Sequence, residues 1–358
     1  MKKTFLFLAL LLLVGVTGAN AQQKQYQLYG IGFYNLENLF DTCHDVGHND
    51  YEYLPDGANR WTGLKYTHKL RNMAQVLSEM GTDRIPIGCA AIGVSEVENA
   101  KCLTDLCDQE PLKARNMQFV HIEGPDQRGV DCALLYNPRL FKVNDVKLVP
   151  YVYVKPEDSL RATRGFLTVK GTLAGEDVAI IVNHLPSRFA VSYYREEGGR
   201  QIREVKEELQ RENPDIKIFI MGDMNDDPQD KSMSEALGAV RKIKDVKEGG
   251  LWNPWWDVLA SGTGTLQYDG GWNLFDQIIL SQTLLDTKHM KSGKPVDLKK
   301  IDTSTLKYYG HQIFRRDYLF QREGRYKGNT KRTHAGGVWL DGYSDHLPTV
   351  VYVVKEAQ

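Results

Sequence analysis

Five times in this chain an apolar run that reads as a buried β-strand stops on, or starts from, a short cluster of Asn, Asp, Glu or His. Tyr29–Tyr34 runs into Asn35-Leu36-Glu37-Asn38, Cys89–Val94 into Ser95-Glu96-Val97-Glu98-Asn99, Val178–Val182 into Asn183-His184, and Ile216–Met221 into Gly222-Asp223-Met224-Asn225-Asp226. The fifth cluster, Ser344-Asp345-His346-Leu347-Pro348, leads into the apolar run Thr349–Val354. Turn chemistry explains any one of them, because Asn, Asp and Gly habitually close a strand. Five together call for a fold in which strands far apart in sequence end side by side.

The residue types say what such a gathering can do. Hydrolysis of a phosphoester needs a hydroxide, a cation to offset charge on the phosphoryl oxygens, and a proton or metal for the leaving oxygen. Asn35, Glu37, Glu96 and Asp345 are hard oxygen ligands, suited to magnesium or manganese rather than zinc. His346, next to Asp345, fits a general base, and Asp276 in Phe275-Asp276-Gln277-Ile278 is an acid that could fix its tautomer. Glu98 shares a strand face with Glu96 and is the alternative ligand. Arg128 and Arg188 could each offer a guanidinium fork to phosphate, and each reads equally well as a surface arginine.

The ordered set of Asn35-x-Glu37, Glu96, Asn183-His184-Leu185-Pro186, Gly222-Asp223-x-Asn225, Phe275-Asp276-Gln277-Ile278 and Ser344-Asp345-His346 resembles the endonuclease/exonuclease/phosphatase superfamily. That group includes pancreatic deoxyribonuclease, abasic-site endonucleases, neutral sphingomyelinases and inositol polyphosphate 5-phosphatases. The resemblance runs from about Tyr29 to Val354. It implies an α+β, four-layer sandwich of two stacked mixed β-sheets, mostly antiparallel and flanked by α-helices, with the site at one end. It implies Mg2+ or Mn2+ as cofactor, Glu96 as principal ligand with Glu37 and Asp345 near it, and Asn35 orienting phosphate or metal. Asp223 and Asn225 would hold the attacking water and a phosphoryl oxygen, or a second metal, on a sharp turn made by Gly222. His184 matches the second histidine of the deoxyribonuclease and sphingomyelinase branches, where it binds phosphate or protonates the leaving group.

The implied activity is divalent-metal-dependent phosphoester hydrolysis by a phosphodiesterase or nuclease-like enzyme, with His346 and Asp276 activating water. A phosphomonoesterase acting on an inositol phosphate, sugar phosphate or nucleotide is the alternative. A catalytically silent binding protein on the same scaffold is the alternative from another class, and the intact His346, Asp276 and Asp345 count against it. Small diesters, nucleic acid and lipid head groups are the candidate substrates, and no stable protein partner is expected.

Met1–Ala21 has the layout of a cleavable secretory signal: Lys2 and Lys3, an apolar stretch from Phe5 to Val16, then Ala19-Asn20-Ala21. No later apolar run approaches the roughly 18 residues of a membrane span. The expectation is a periplasmic or secreted protein with one catalytic domain over 22–358, since candidate site residues spread from Asn35 to His346. Lys and Arg number 45 against 46 Asp and Glu, so no strong basic field exists for gripping a long polyanion. The five cysteines are an odd number, so at least one is unpaired or pairs between chains, and the spacing of Cys102 and Cys107 without histidine neighbours is poor for a zinc site. Cys102 and Cys107 are close enough to bridge locally, whereas Cys89 and Cys132 sit in apolar runs and read as core thiols.

Two amphipathic helices are expected, over Lys65–Met80 with a cap at Gly81 and over Gly199–Asn213. Further strand-like runs are Met117–Ile122, Val130–Tyr136, Gly165–Leu173, Phe275–Leu280 and Pro348–Val354. Lys247–Trp272, rich in Gly and Trp, and the polar insertion 286–341 depart from this pattern just before site motifs, where substrate-selecting loops would hang. The insertion carries Arg315, Arg316, Arg322, Arg325, Lys327, Lys331 and Arg332, and reads either as a solvated excursion or as a phosphate grip.

Overall fold

The computed structural model describes residues 24–153 and 163–357. The Met1–Ala21 leader lies outside the described residues. In chain order the strands are β1 (Tyr26–Leu39), β2 (Cys89–Val97), β3 (Gln118–His121), β4 (Asp131–Tyr136), β5 (Phe141–Val149), β6 (Phe166–Leu173), β7 (Glu176–His184), β8 (Lys217–Asp223), β9 (Ala239–Val240), β10 (Leu251–Trp252), β11 (Leu266–Tyr268), β12 (Gly271–Asn273), β13 (Asp276–Ser281), β14 (Lys307–Ile313), β15 (His334–Ala335), β16 (Val338–Trp339) and β17 (Thr349–Glu356). The helices are α1 (Gly63–Glu79), α2 (Ala100–Cys107), α3 (Glu110–Lys113), α4 (Ser192–Glu212) and α5 (Trp256–Ala260).

Two large mixed sheets result, one ordered β14-β17-β1-β2-β4-β3 and the other β5-β6-β7-β8-β13-β10-β9. Most pairs are antiparallel, and β1/β2, β7/β8 and β9/β10 are parallel. Strand alternation sorts the side chains into layers. Ile31 and Phe33 of β1, Ile180 and Val182 of β7, and Ile278 of β13 share one core between the sheets. Tyr34 and Val94 face a second core with Met73, Val76 and Leu77 of α1 and Leu103 of α2. Ala179 and Ile181 face a third with Ile202, Val205 and Leu209 of α4. Helix, sheet, sheet, helix is the four-layer α+β sandwich expected.

The differences have local causes. Helix α4 begins seven residues before the expected Gly199, because Gly198-Gly199 is not a start signal; a Cβ at Gly199 would stand 2.3 Å from Ser232 O, so the pair is a place of close packing. All five cysteines are free. The Cys102–Cys107 bridge does not form: five helical residues turn the two side chains roughly 140° apart, and the Cys102 thiol points inward to Glu98 Oε2 at 3.6 Å. Cys89 and Cys132 are buried, as their runs suggested. The insertion 286–341 is not a free excursion, since it contributes β14 as an edge strand against β17 and then folds along α1. No described helix is long and apolar enough to cross a membrane.

Candidate functional site

The polar clusters meet where the two sheets end. Asp223 closes β8 and pairs across the sheet with Asp276, the first residue of β13, while His184 closes the neighbouring β7 opposite Asp223. Asn35 and Glu37 come from β1 in the other sheet, Glu96 from β2, and Asp345-His346 from the segment entering β17. Ser344 holds that segment to β1: its Oγ donates to Asn35 O at 2.8 Å and accepts from His346 N at 3.1 Å.

Gly222 does its work differently from the turn expected of it. It lies inside β8, where a Cβ would stand 2.1 Å from Asn183 O, so the glycine permits the close approach of β7 and β8 that sets His184 beside Asp223. Strain marks the same place. Glu37, Asn38, Glu96 and Asn225 adopt φ of 48°, 58°, 60° and 49°, a left-handed conformation that costs a non-glycine residue on the order of 1 kcal/mol or more.

At the centre, His346 Nδ1 lies 2.7 Å from Asp276 Oδ2, with Asp276 fully buried. His346 Nε2 faces Asp223 Oδ2 at 3.8 Å and Asp345 Oδ1 at 3.9 Å. Burial opposes a charged imidazole here, but the surrounding charges of Asp276, Asp223 and Asp345 override it and hold the His346 pKa well above its ordinary value. Asp223 is pushed up to about 7, chiefly by burial, against the pull of His346. Ligating atoms of Asp223, Asp276 and His346 all lie within 4.8 Å of one another, close enough for a proton held by His346 to be shared with a neighbouring carboxylate.

His184 is the opposite case. Burial, then the charges of Arg164, Arg128 and His346, press its pKa well below the ordinary value and keep it neutral. Its Nε2 stands 3.5 Å from Asp223 Oδ2 and 3.9 Å from Glu96 Oε1, and its buried Nδ1 has no partner among the described residues. A neutral ring so placed can donate one hydrogen bond to a phosphoryl oxygen.

Asn35 and Arg188 are engaged in ways that differ from their expected roles. The Asn35 amide donates to Asp223 Oδ2 at 3.0 Å and its oxygen accepts Glu37 N at 2.8 Å, so it aims Asp223 and does not reach outward. Arg188 gives Nε to Asn225 O, Nη1 to Asn273 Oδ1, and Nη2 to Asp227 and Asp230, which pins the loop after β8 and leaves no fork for phosphate. Asn225 ties this loop to the one after β7 through Leu185 O at 2.9 Å. Arg128 is half-exposed and close enough for its charge to act on His184.

The three expected metal ligands lie along one wall. Glu96 Oε2 accepts Asn38 N at 3.0 Å, and Glu37 Oε2 accepts Thr333 N at 2.7 Å. They do not form a tight cluster, because the Arg332 guanidinium sits between Glu37 and Asp345, with Nε 3.2 Å from Glu37 Oε1 and Nη2 on Asp345 Oδ2. Burial and the Asp345 charge raise Glu37 to about 7 even with Arg332 and the buried Lys69 opposing. Carboxylates with surplus negative charge are the donor chemistry a hard divalent cation fits. Glu98 is not part of this wall: it turns to Asp41 N at 2.7 Å and to the Cys102 thiol.

Sequence reasoning missed Thr333, Lys69 and Arg164, and named Arg332 only as one of seven basic residues in the insertion. Lys69 alone carried a signal, as a charged residue on the apolar face of α1 four positions before Met73.

Two buried histidines and a group of carboxylates gathered at the strand ends of a two-sheet sandwich fit a hydrolase. The chain belongs to the endonuclease/exonuclease/phosphatase family, whose model matches residues 30–355. No curated protein sequence matches it. Among solved structures it is similar to an endonuclease/exonuclease/phosphatase family protein from Bacteroides thetaiotaomicron, with TM-score 0.56, 16% identity, and 93% of this chain and 97% of that one covered. It is also similar to a mannosyl-6-phosphatase from the same organism, with TM-score 0.53, 15% identity and coverage of 91% and 99%. TDP2 of D. rerio complexed with a single-strand DNA product gives TM-score 0.51, 12% identity and coverage of 91% and 98%. These likenesses show the fold.

Proposed function

We propose that this protein is an exported, divalent-cation-dependent hydrolase of small phosphoesters, most of all diesters, in which residues 22–358 work as one catalytic unit. The observation that carries it is the Asp276–His346–Asp223 cluster, with His346 hydrogen-bonded to Asp276 at 2.7 Å. Glu37, Glu96 and Asp345 would hold Mg2+ or Mn2+, which when bound supplies charge compensation for the phosphoryl oxygens and for the carboxylates themselves. Asp276 fixes the His346 ring so that Nε2 faces the reacting atoms. As the site stands, His346 carries a proton that the charges of Asp276, Asp223 and Asp345 retain. With less of that charge retained, Nε2 would be the atom that takes a proton from the attacking water. Asp223, near pH 7, is the second station for that proton. His184 donates to a phosphoryl oxygen, and Arg128 approaches from the rim.

A small substrate is favoured over duplex nucleic acid by the fate of the basic stretch. Arg316 pairs with Asp83 and Glu79, and Arg315 stacks on Trp272 and Phe320, so these two do not join a free cationic band.

The test is a substrate panel with purified chain: bis(p-nitrophenyl) phosphate, p-nitrophenyl phosphate, single-stranded DNA and lipid head-group esters, each with EDTA, Mg2+ or Mn2+. EDTA should abolish turnover and either metal restore it, and His346→Ala and Asp223→Ala should each lower it by about a hundredfold or more. Full activity in metal-stripped protein would sink the ligand assignment. Wild-type turnover in His346→Ala would sink the base.

A further inference from the structure

The segment from Phe314 to Tyr343 is built to deliver one side chain. It is fastened to α1 by Tyr318 Oη to Glu79 at 2.9 Å, by Asn72 Nδ2 to Gly342 O at 2.8 Å, and by the buried Lys69, whose Nζ donates to Tyr343 O at 2.5 Å and Thr333 Oγ1 at 2.6 Å. On the site side, Thr330 Oγ1 donates to Asp345 O at 3.0 Å and Thr333 N to Glu37 Oε2. The backbone is thus held on both flanks of Arg332. Its side chain is 44% exposed, and its guanidinium reaches the Glu37 and Asp345 carboxylates.

Two features of that contact point past a structural salt bridge. First, Arg332 uses Glu37 Oε1 and Asp345 Oδ2, while Glu37 Oε2 is already committed to Thr333 N. Those two oxygens, with Glu96 Oε1 and Asp345 Oδ1, are the atoms the wall has to offer an incoming ion, so a divalent cation held here would compete with the guanidinium for two of them. Second, a planar fork displaced from carboxylates matches the oxygens of a phosphoryl group, the other bidentate acceptor arginine favours.

We propose that Arg332 is a phosphate-binding residue of this site: it and a divalent cation are alternative partners of Glu37 and Asp345, and the cation's arrival hands the guanidinium to the substrate's phosphoryl oxygens. The proposal rests on the hydrolase reading above and adds to it the group that recognises phosphate. It also accounts for the insertion, which supplies this arginine from a chain position about 300 residues from Glu37 in sequence.

Two titrations test it without relying on turnover. Mn2+ titrated calorimetrically into metal-stripped full-length protein should bind about tenfold tighter to Arg332→Gln than to wild type, because the tethered competitor is gone. Inorganic phosphate titrated into the Mn2+-loaded proteins should bind about tenfold weaker to Arg332→Gln, with Arg332→Lys between the two, since lysine keeps the charge and loses the fork. Unchanged or weaker Mn2+ binding by a folded Arg332→Gln overturns the exchange, and phosphate affinity within twofold of wild type overturns the handover. If Arg332→Gln fails to fold, Arg332→Lys decides by the same two readings. Arg332-dependent Mn2+ uptake by a wild-type chain that hydrolyses none of the panel esters would keep the exchange and sink the hydrolase reading. Full hydrolase activity with both titrations indifferent to Arg332 would do the reverse.

Discussion

Asp276→Asn isolates what the buried carboxylate does for His346, because it removes a charge without changing shape. Asp276 Oδ2 takes the Nδ1 proton at 2.7 Å, and its other oxygen, Oδ1, is buried with no partner among the described residues. An asparagine has two ways to lie there. With its oxygen toward His346 it keeps the tautomer but buries an amide N–H where nothing accepts it, at a cost of about 1–3 kcal/mol. With its amide toward His346 it donates to Nδ1 and forces the proton onto Nε2, the nitrogen that must accept one. Either way the charge-assisted bond, of about 1.5–3 kcal/mol, is lost. At 1.36 kcal/mol per decade that is roughly a 10- to 150-fold fall in kcat.

The variant should also move the pH dependence. Asp276 heads the charges that raise His346, so its loss lowers the His346 pKa, and the pH at which the imidazole gives up its proton falls. For stability the sign is the same: a histidine raised in the folded state contributes stability present below its ordinary value and lost as pH rises through the folded value, so Asp276→Asn costs stability most at acid pH. The assay is kcat on bis(p-nitrophenyl) phosphate from pH 5.5 to 9, with nitrogen NMR of the His346 ring to read the tautomer. A folded Asp276→Asn with kcat within threefold of wild type and an unmoved acid limb would refute the reasoning.

Why some of this was legible in the chain and some was not comes down to where the determining contacts lie. Runs such as Ile216–Met221 are apolar on both faces because both faces are covered, so β8 and its companions announce themselves. Strand β5 hid because a bulge between Val143 and Asp145 interrupts its alternation. Strand β14 hid because Lys307–Ile313 is polar, and it pairs only once β17, far along the chain, is in place. The gathering of Asp223, Asp276 and His346 was readable because each sits at or beside the end of a readable strand. The roles of Asn35 and Arg188 were not, since a donor's partners are set by tertiary packing: one serves Asp223, the other the loop after β8. Arg332 is the extreme case. Nothing in Lys331-Arg332-Thr333 distinguishes it from the basic residues beside it except the backbone bonds that flank it in the folded protein.

Two further outcomes are expected. His311 accepts from or donates to Tyr308 Oη at 2.6 Å, and burial lowers its pKa to about 4. A base depressed in this way gives stability present above about 6.5 and lost as pH falls toward 4, at most about 3 kcal/mol, so His311→Gln should flatten the loss of stability over that window; equal acid slopes in urea melts of the two proteins would contradict it. Long duplex DNA should be a poor substrate relative to small diesters. Duplex affinity comes from lysine and arginine contacts that release counterions, each adding about 0.9 to the log–log salt slope. Here Arg315 is stacked between Trp272 and Phe320, and Arg316 is neutralised by Asp83 and Glu79. That leaves Arg322, Arg325, Lys327 and Lys331 as the part of the stretch without an ion pair among the described residues, too few and too local for a processive grip. Plasmid cleavage at physiological salt faster than bis(p-nitrophenyl) phosphate hydrolysis, with a steep salt slope that Arg322→Gln and Arg325→Gln abolish, would show that this short stretch suffices and that the protein acts on long nucleic acid.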